Sequence, residues 1–289
     1  MEQDNEIIKK VRKIEIKARG LSRQMFSGEY HSAFKGRGMA FSEVREYQYG
    51  DDVRNIDWNV TARLNHPYVK IFEEERELTV MLLVDVSGSN HFGTHHQFKE
   101  ELVAEVAATL AFSAIQNNDK VGVIFFSDRI EKFIPPKKGR THILRIIREL
   151  ITFRPTSNGT NLNEALRYFT NVIKKRCTAF LLSDFYDDNF SDAIKIAANK
   201  HDLVAIRITD EREQSLPDLG LVKFYDPESD DTLWIDTASE RIRNEFAKAY
   251  KNHHEKTDEV LRKYGIDQTE LYTGEDFVEP LLKLFKMRS

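Results

Sequence analysis

"LTVMLLVDVSGSN", residues 78–90, decides the fold. Its first part is a near-continuous apolar run that ends in Asp85. A strand that alternates apolar and polar residues has one wet face, whereas an unbroken run belongs to a strand covered on both faces. Immediately after the aspartate come Ser87 and Ser89, where the chain must leave the sheet.

Working outward, the same signature recurs in "VGVIFFS" (121–127), "CTAFLLSD" (177–184) and "LVAIRI" (203–208). Helical spacing separates these runs. Phe98, Leu102, Val106 and Leu110 mark a helix over 97–117, "THILRIIRELI" a second and "NLNEALRYFTNVIKKR" a third, with Asn161 and Glu164 placed as a capping box. "SDAIKIAANK" is a fourth. "RIEKFI" (129–134) predicts a short strand closed by Pro135-Pro136, and "LVKFY" with "TLWI" predicts an edge hairpin around the turn DPESDD. A long helix from about 239 stops near Gly265, and a last helix starts after Thr273. Strands alternating with helices imply a doubly wound α/β domain, a mostly parallel sheet with helices on both faces, over residues 78–289.

Residues 1–77 read as a smaller N-terminal module. An amphipathic helix runs from about 4 to 25, with Ile7, Val11, Ile14, Ala18 and Leu21 on one face. Between Lys9 and Arg37 nine cations stand against Glu15 and Glu29 alone, a solvated face or a docking surface for an acidic partner. Gly50-Asp51-Asp52 is a turn signal, and Ile56, Trp58 and Val60 then alternate as in a strand. Asp51, Asp52, Arg54, Asp57, Trp58 and Arg63 form either an ion-pair network locking this module onto the sheet or a partner-contact surface. For the second reading Arg54, Asp57, Trp58 and Arg63 are the candidates.

Composition narrows the class. Hydrophobic residues make up 40% and charged residues 31% of 289, as in a well-folded globular protein. The net charge of −4 gives no case for nucleic acid or an anionic membrane. A charged N-terminus and the lack of a long uncharged apolar run argue against a signal peptide and a membrane span. One cysteine, Cys177, excludes an internal disulfide and fits a reducing, cytoplasmic compartment, where it serves as a small buried hydrophobe. No Walker-type phosphate loop occurs, and Gly36-Arg37-Gly38 lacks both the preceding strand and the third glycine of a dinucleotide loop.

In an open parallel sheet, ligands bind beyond the carboxyl ends of the strands at a topological switch point. The residues expected there are Asp85, Ser87 and Ser89 after the first strand, and Ser183 and Asp184 after a later one. The loop "TSNGTN" adds Ser157, Thr160 and Asn161. All are oxygen donors, which suit a hard cation such as Mg²⁺, Mn²⁺ or Ca²⁺. With no Lys or Arg in these stretches, two dry carboxylates would repel, and a divalent cation removes that cost. Neutral hydroxyls leave such a cation able to take an outside carboxylate.

"DVSGS", "GTN" and "SD" resemble the metal-ion-dependent adhesion site of von Willebrand factor A-type domains. The resemblance implies a Mg²⁺ held by Asp85, Ser87, Ser89, Thr160 and Asp184. Phe185 departs from it, standing where many such domains carry glycine. "GRGMAFSEVREYQYGDDVRNIDWNVTAR…YVKIFEEERE" resembles the segment preceding the A-type domain in the bacterial domain-of-unknown-function family 58. That implies a non-catalytic, metal-dependent adaptor working with a MoxR-type AAA+ ATPase in chaperone-like maturation of other proteins, its metal taking a Glu or Asp from a partner. The alternative is a metal-dependent hydrolase with His95 or His96, from "HFGTHH", as base. The acidic turn Asp226, Glu228, Asp230 and Asp231 reads as solvated charge or a second cation site.

Overall fold

A computed structural model describes residues 2–25, 39–74, 78–91, 98–225 and 232–288. His95 and His96 lie outside the described residues, as do Lys35, Arg37 and the acidic turn 226–231. The chain divides into two compact units, one of residues 1–34 with 79–289 and one of residues 35–78. The main segment of the larger unit begins at Thr79, beside the expected boundary at residue 77, while the first helix, α1 (Glu2–Met25), groups with that unit and not with residues 35–78.

The smaller unit is built on an antiparallel pair, β1 (Met39–Glu46) and β2 (Tyr68–Glu74), with a register shift between Phe41 and Glu43. Asp57 decides what lies between them. Its carboxylate accepts from the amides of Asn59 and Val60, at 2.9 and 3.2 Å, and so starts a helix, α2 (Trp58–Leu64). The strand expected from the alternation of Ile56, Trp58 and Val60 is therefore corrected to a lone bridge at Ile56 followed by a helix.

The larger unit holds a six-stranded sheet in the order β10-β7-β6-β3-β4-β5. These strands are β3 (Thr79–Asp85), β4 (Lys120–Phe126), β5 (Ile130–Lys137), β6 (Thr178–Ser183), β7 (Asp202–Thr209) and β10 (Asp267–Tyr272). Every neighbouring pair is parallel except β4 with β5. Helices α3 (Lys99–Gln116), α4 (Arg140–Thr152), α5 (Leu162–Val172), α6 (Ser191–Lys200), α7 (Glu211–Gln214), α8 (Glu240–Lys263) and α9 (Val278–Arg288) complete it. The expected class, a mostly parallel sheet with helices around it, is the class observed.

The continuous apolar runs have the two-sided burial that they signal. Val80, Met81, Leu82, Leu83 and Val84 are all buried. Met81 and Leu83 join Ile124, Phe126, Ala179 and Leu181 in a core completed by Leu166 and Phe169 of α5 and Ile194 of α6. On the opposite face Phe180 meets Phe285 of α9 edge-on, at 6.5 Å between ring centroids.

Three local expectations are corrected. β5 does not stop at Pro135-Pro136 but runs to Lys137; it is an edge strand, where a residue without an N–H costs no ladder bond. β8 (Leu221–Tyr225) and β9 (Thr232–Asp236) pair as a separate two-stranded sheet, because the edges of the main sheet are β5 and β10. β10 itself was not foreseen. Gly265 ends α8 at φ 65°, the left-handed position a C-terminal glycine fills.

Candidate metal centre

The chain runs from β3 outward through β4 to β5, then returns to the other side of β3 as β6. The crevice beyond β3 and β6 is thus the topological switch point, and each strand ends in a candidate ligand. Asp85 closes β3 and Asp184 follows Ser183 at the end of β6; both carboxyls are buried.

Asp85 is held from two directions. The Ser183 hydroxyl donates to its Oδ2 at 2.6 Å, and the Ser87 amide donates to its Oδ1 at 2.9 Å. Burial and then the neighbouring charge of Asp184 push its pKa up to about 7, against these bonds. The hydroxyls of Ser87 and Ser89 lie 3.0 Å apart, and Ser89 also hydrogen-bonds Asp184. Four of the five expected ligands therefore form one linked cluster.

The fifth, Thr160, is half-buried on a loop anchored to the same place. The Gly88 amide donates to the Asn158 carbonyl at 2.7 Å, and the Asn161 amide donates to the Ser127 carbonyl at 2.9 Å. Asn161 caps α5 by accepting from the Glu164 amide at 2.9 Å. Glu131, on β5, accepts from the amides of Thr156 and Ser157 and from the Ser127 hydroxyl. Those bonds hold its carboxyl below the usual range although burial opposes them. Ser157, an early candidate, gives its hydroxyl to Asp128 instead.

The largest departure from expectation is Lys99. It is the first residue of α3, completely buried, with its ammonium 3.1 Å from Asp184 Oδ2 and ion-paired to Glu213 of α7. Burial disfavours the ammonium, but the two carboxylates overcome it and keep Lys99 charged. Burial likewise works against the Asp184 charge, and Lys99 outweighs it, so that the carboxyl titrates below its ordinary value. Glu213 is pushed up by burial, although Lys99 pulls the other way. Asp210 and Glu213 share a capping box that fixes α7 in place. The premise that no Lys or Arg neighbours the carboxylates thus holds along the sequence and fails in space. Asp184 carries its own counter-ion in Lys99, while the Asp184 charge acts on Asp85 and, after burial, raises its pKa.

The donor set nevertheless fits a hard divalent cation. Two carboxylates, Asp184 and Glu213, share the one Lys99 ammonium, and the Asp85 carboxyl stands beside Asp184 as a further oxygen donor. The hydroxyls of Ser87 and Ser89 lie within the same cluster as neutral oxygen donors.

Phe185 explains its own departure from the family pattern. Its φ is 62°, in the left-handed region that favours glycine, yet its side chain is buried in the core. Its amide donates to Ser183 Oγ at 3.0 Å, while Arg207 stands 5.7 Å from its ring centroid. Its carbonyl lies 2.9 Å from His253 Nε2. Next to it Tyr186 is partly exposed and stacks on His253, at 4.6 Å between centroids, beside a groove of about 330 Å³ shared with Asp188 and Phe246.

The other candidates remain in the smaller unit. Arg54 forms an exposed local pair with Asp52, and Arg45 makes a two-pronged pair with Asp51. Asp57 is occupied as the α2 cap and lies 3.5 Å from Lys70. Trp58 is 69% exposed, and Arg63 is exposed too. The ion pairs described here lie within the unit. Cys177 is buried, and burial pushes its thiol up to about 12, in keeping with an inert packing role.

The model of the family described as "Protein of unknown function DUF58" matches residues 43–256, well over half of the chain. The chain belongs to the DUF58 family. It is 29% identical to the uncharacterized protein Rv1480 of Mycobacterium tuberculosis, over 99% of this chain and 90% of that protein. Among solved structures it is similar to BatB from Bacteroides thetaiotaomicron, with 15% identity, 73% of this chain, 98% of that chain and a TM-score of 0.49. It is also similar to the SpRpn10 VWA domain, with 10% identity, 73% and 95% coverage and a TM-score of 0.38. Among the described residues no helix is long and apolar enough to cross a membrane.

Proposed function

We propose that this DUF58 chain is a non-catalytic protein-interaction module that works through a divalent cation. The observation that carries the reading is the convergence of Asp85, Ser87, Ser89 and Asp184 in one linked cluster at the switch point of the sheet. Asp85, Ser87, Ser89, Thr160 and Asp184 would hold Mg²⁺, with Mn²⁺ or Ca²⁺ as substitutes. Once bound, such a cation supplies a Lewis-acid position for a Glu or Asp of a partner.

The residues of this chain do the rest. Ser183 orients the Asp85 carboxyl, and Lys99 holds Asp184. Glu131 sets the loop that carries Thr160. The resemblance to DUF58 proteins suggests a MoxR-type AAA+ ATPase as partner, in chaperone-like maturation of other proteins. The oxygen-only donor set favours binding over hydrolysis as the reading.

The test is calorimetric titration of Mg²⁺, Mn²⁺ and Ca²⁺ into wild type and Asp85→Ala, followed by pull-down of a purified MoxR-type ATPase with Mg²⁺ or EDTA. Saturable cation binding and cation-dependent capture, both lost in Asp85→Ala, are expected. Capture indifferent to EDTA and to the substitution would remove the metal from the function. Turnover of generic phosphate esters with Mg²⁺ would replace the reading with a hydrolase.

A further inference from the structure

A second surface of the larger unit lies between α1 and α4. There the helices enclose a groove of about 580 Å³. Ile8, Val11 and Leu144 give it an apolar lining, and Ile8 is 52% exposed, an aliphatic side chain left in water. Arg12 on α1 and Arg145 and Arg148 on α4 are exposed at its rim. Among the described residues none of these three guanidinium groups has an ion-pair partner. Arg140 also lines the groove, and it is paired with Glu15, the one acid there.

This arrangement is stable without a ligand because the helices are fastened elsewhere. Arg140 binds Glu15 through Nε at 3.2 Å, Lys17 binds Glu105 of α3 at 2.6 Å, and Gln116 donates to the Ser22 hydroxyl at 3.0 Å. The three rim arginines contribute nothing to that fastening. Arg145 and Arg148 are three residues apart, on one helical face, so their charges line one wall. The groove is strongly positive within a chain whose net charge is −4, so general attraction for polyanions does not account for it.

We propose that the groove is a docking site for an acidic amphipathic segment of a partner protein. Aliphatic side chains of that segment cover Ile8, Val11 and Leu144, and its Asp or Glu side chains pair with Arg12, Arg145 and Arg148. Arginine favours this use because its planar fork meets a carboxylate with two parallel bonds. A concave, apolar-lined cleft suits a folded peptide face better than a bilayer surface or a nucleic-acid backbone, neither of which presents aliphatic side chains to fill it. The site needs no cation, so it stands or falls separately from the metal centre.

The test selects phage-displayed peptides about 12 residues long, roughly three helical turns, on the full chain in EDTA. Enriched peptides are then measured by fluorescence polarisation against wild type, Arg145→Glu/Arg148→Glu and Asp85→Ala. Both substituted side chains of the groove rim, Arg145 and Arg148, are exposed, and thermal melting confirms that the charge-reversed variant is folded. The expected result is peptides combining acids with aliphatics, whose affinity falls about tenfold or more on charge reversal and weakens with salt. Their binding should be unchanged by Asp85→Ala. Peptides without acids, equal affinity for the charge-reversed variant, or no enrichment would overturn the proposal. So would binding confined to phosphatidylserine vesicles or single-stranded DNA run in parallel.

Discussion

The Lys99 ammonium lies 3.1 Å from Asp184 Oδ2 with both side chains out of contact with water, so the crevice that carries the candidate metal ligands also carries a tethered cation. Breaking a buried pair by removing one partner strands the other charge. Lys99→Met is therefore expected to lower the free energy of unfolding by about 3–5 kcal/mol, read by urea denaturation in EDTA. Mg²⁺ should restore more stability to this variant than it adds to wild type, because the added cation takes over the charge of Asp184. Equal gains in both proteins would mean that ammonium and divalent ion do not share that carboxylate.

Phe185 reverses an ordinary ranking. Alanine normally stabilises a chain relative to glycine, but at φ 62° it retains the steric cost that glycine escapes. Phe185→Ala and Phe185→Gly both lose a buried ring, worth about 3–5 kcal/mol. The alanine variant should be the less stable of the two by about 1 kcal/mol. Denaturation midpoints showing alanine the more stable would place the backbone outside the left-handed region.

Gly122 sits on β4 where a Cβ would fall 2.7 Å from Met81 Sδ and 2.9 Å from the Ile134 carbonyl oxygen. Two of its near neighbours are backbone atoms of β5, which cannot swing aside as a side chain can. Gly122→Ala should cost about 1–3 kcal/mol, as overpacking does. A neutral substitution, measured by thermal and urea melts, would show that β5 yields at its prolines.

His201 provides an acid-sensitive element away from the crevice. Burial, followed by the charges of Lys200 and Arg176, lowers its pKa from 6.5 to about 4. Its Nδ1 lies 3.4 Å from Cys177 Sγ, and its ring is 4.4 Å from that of Phe169. Between those two pKa values the unfolded chain binds a proton that the folded chain refuses, so stability falls as pH drops through that window. His201→Gln should flatten the slope of stability against pH there. An unchanged slope would show that other groups carry the acid sensitivity.

The central strands were legible in the sequence because burial on both faces leaves a mark that does not depend on neighbours. "LTVMLLVD" can be read alone, and so can the oxygen donors at its end. The edges were less legible. "DQTELY" of β10 is polar, since an edge strand is partly wet, and Pro135-Pro136 signals a stop that an edge strand can ignore. Asp57 looked like one charge in a network until the amides of Asn59 and Val60 turned it into a helix cap.

Lys99 and Glu213 were beyond any local reading. The lysine lies 85 residues from Asp184 along the chain, and its ammonium reaches that carboxylate only because α3 starts beside the end of β6. Charge pairing acts through distance in space, at a few ångströms and in a medium of low polarity, whereas sequence records distance along the chain. The residue types at the crevice were therefore written in the motif, but the balance of charge among them was settled by which elements the fold brought together.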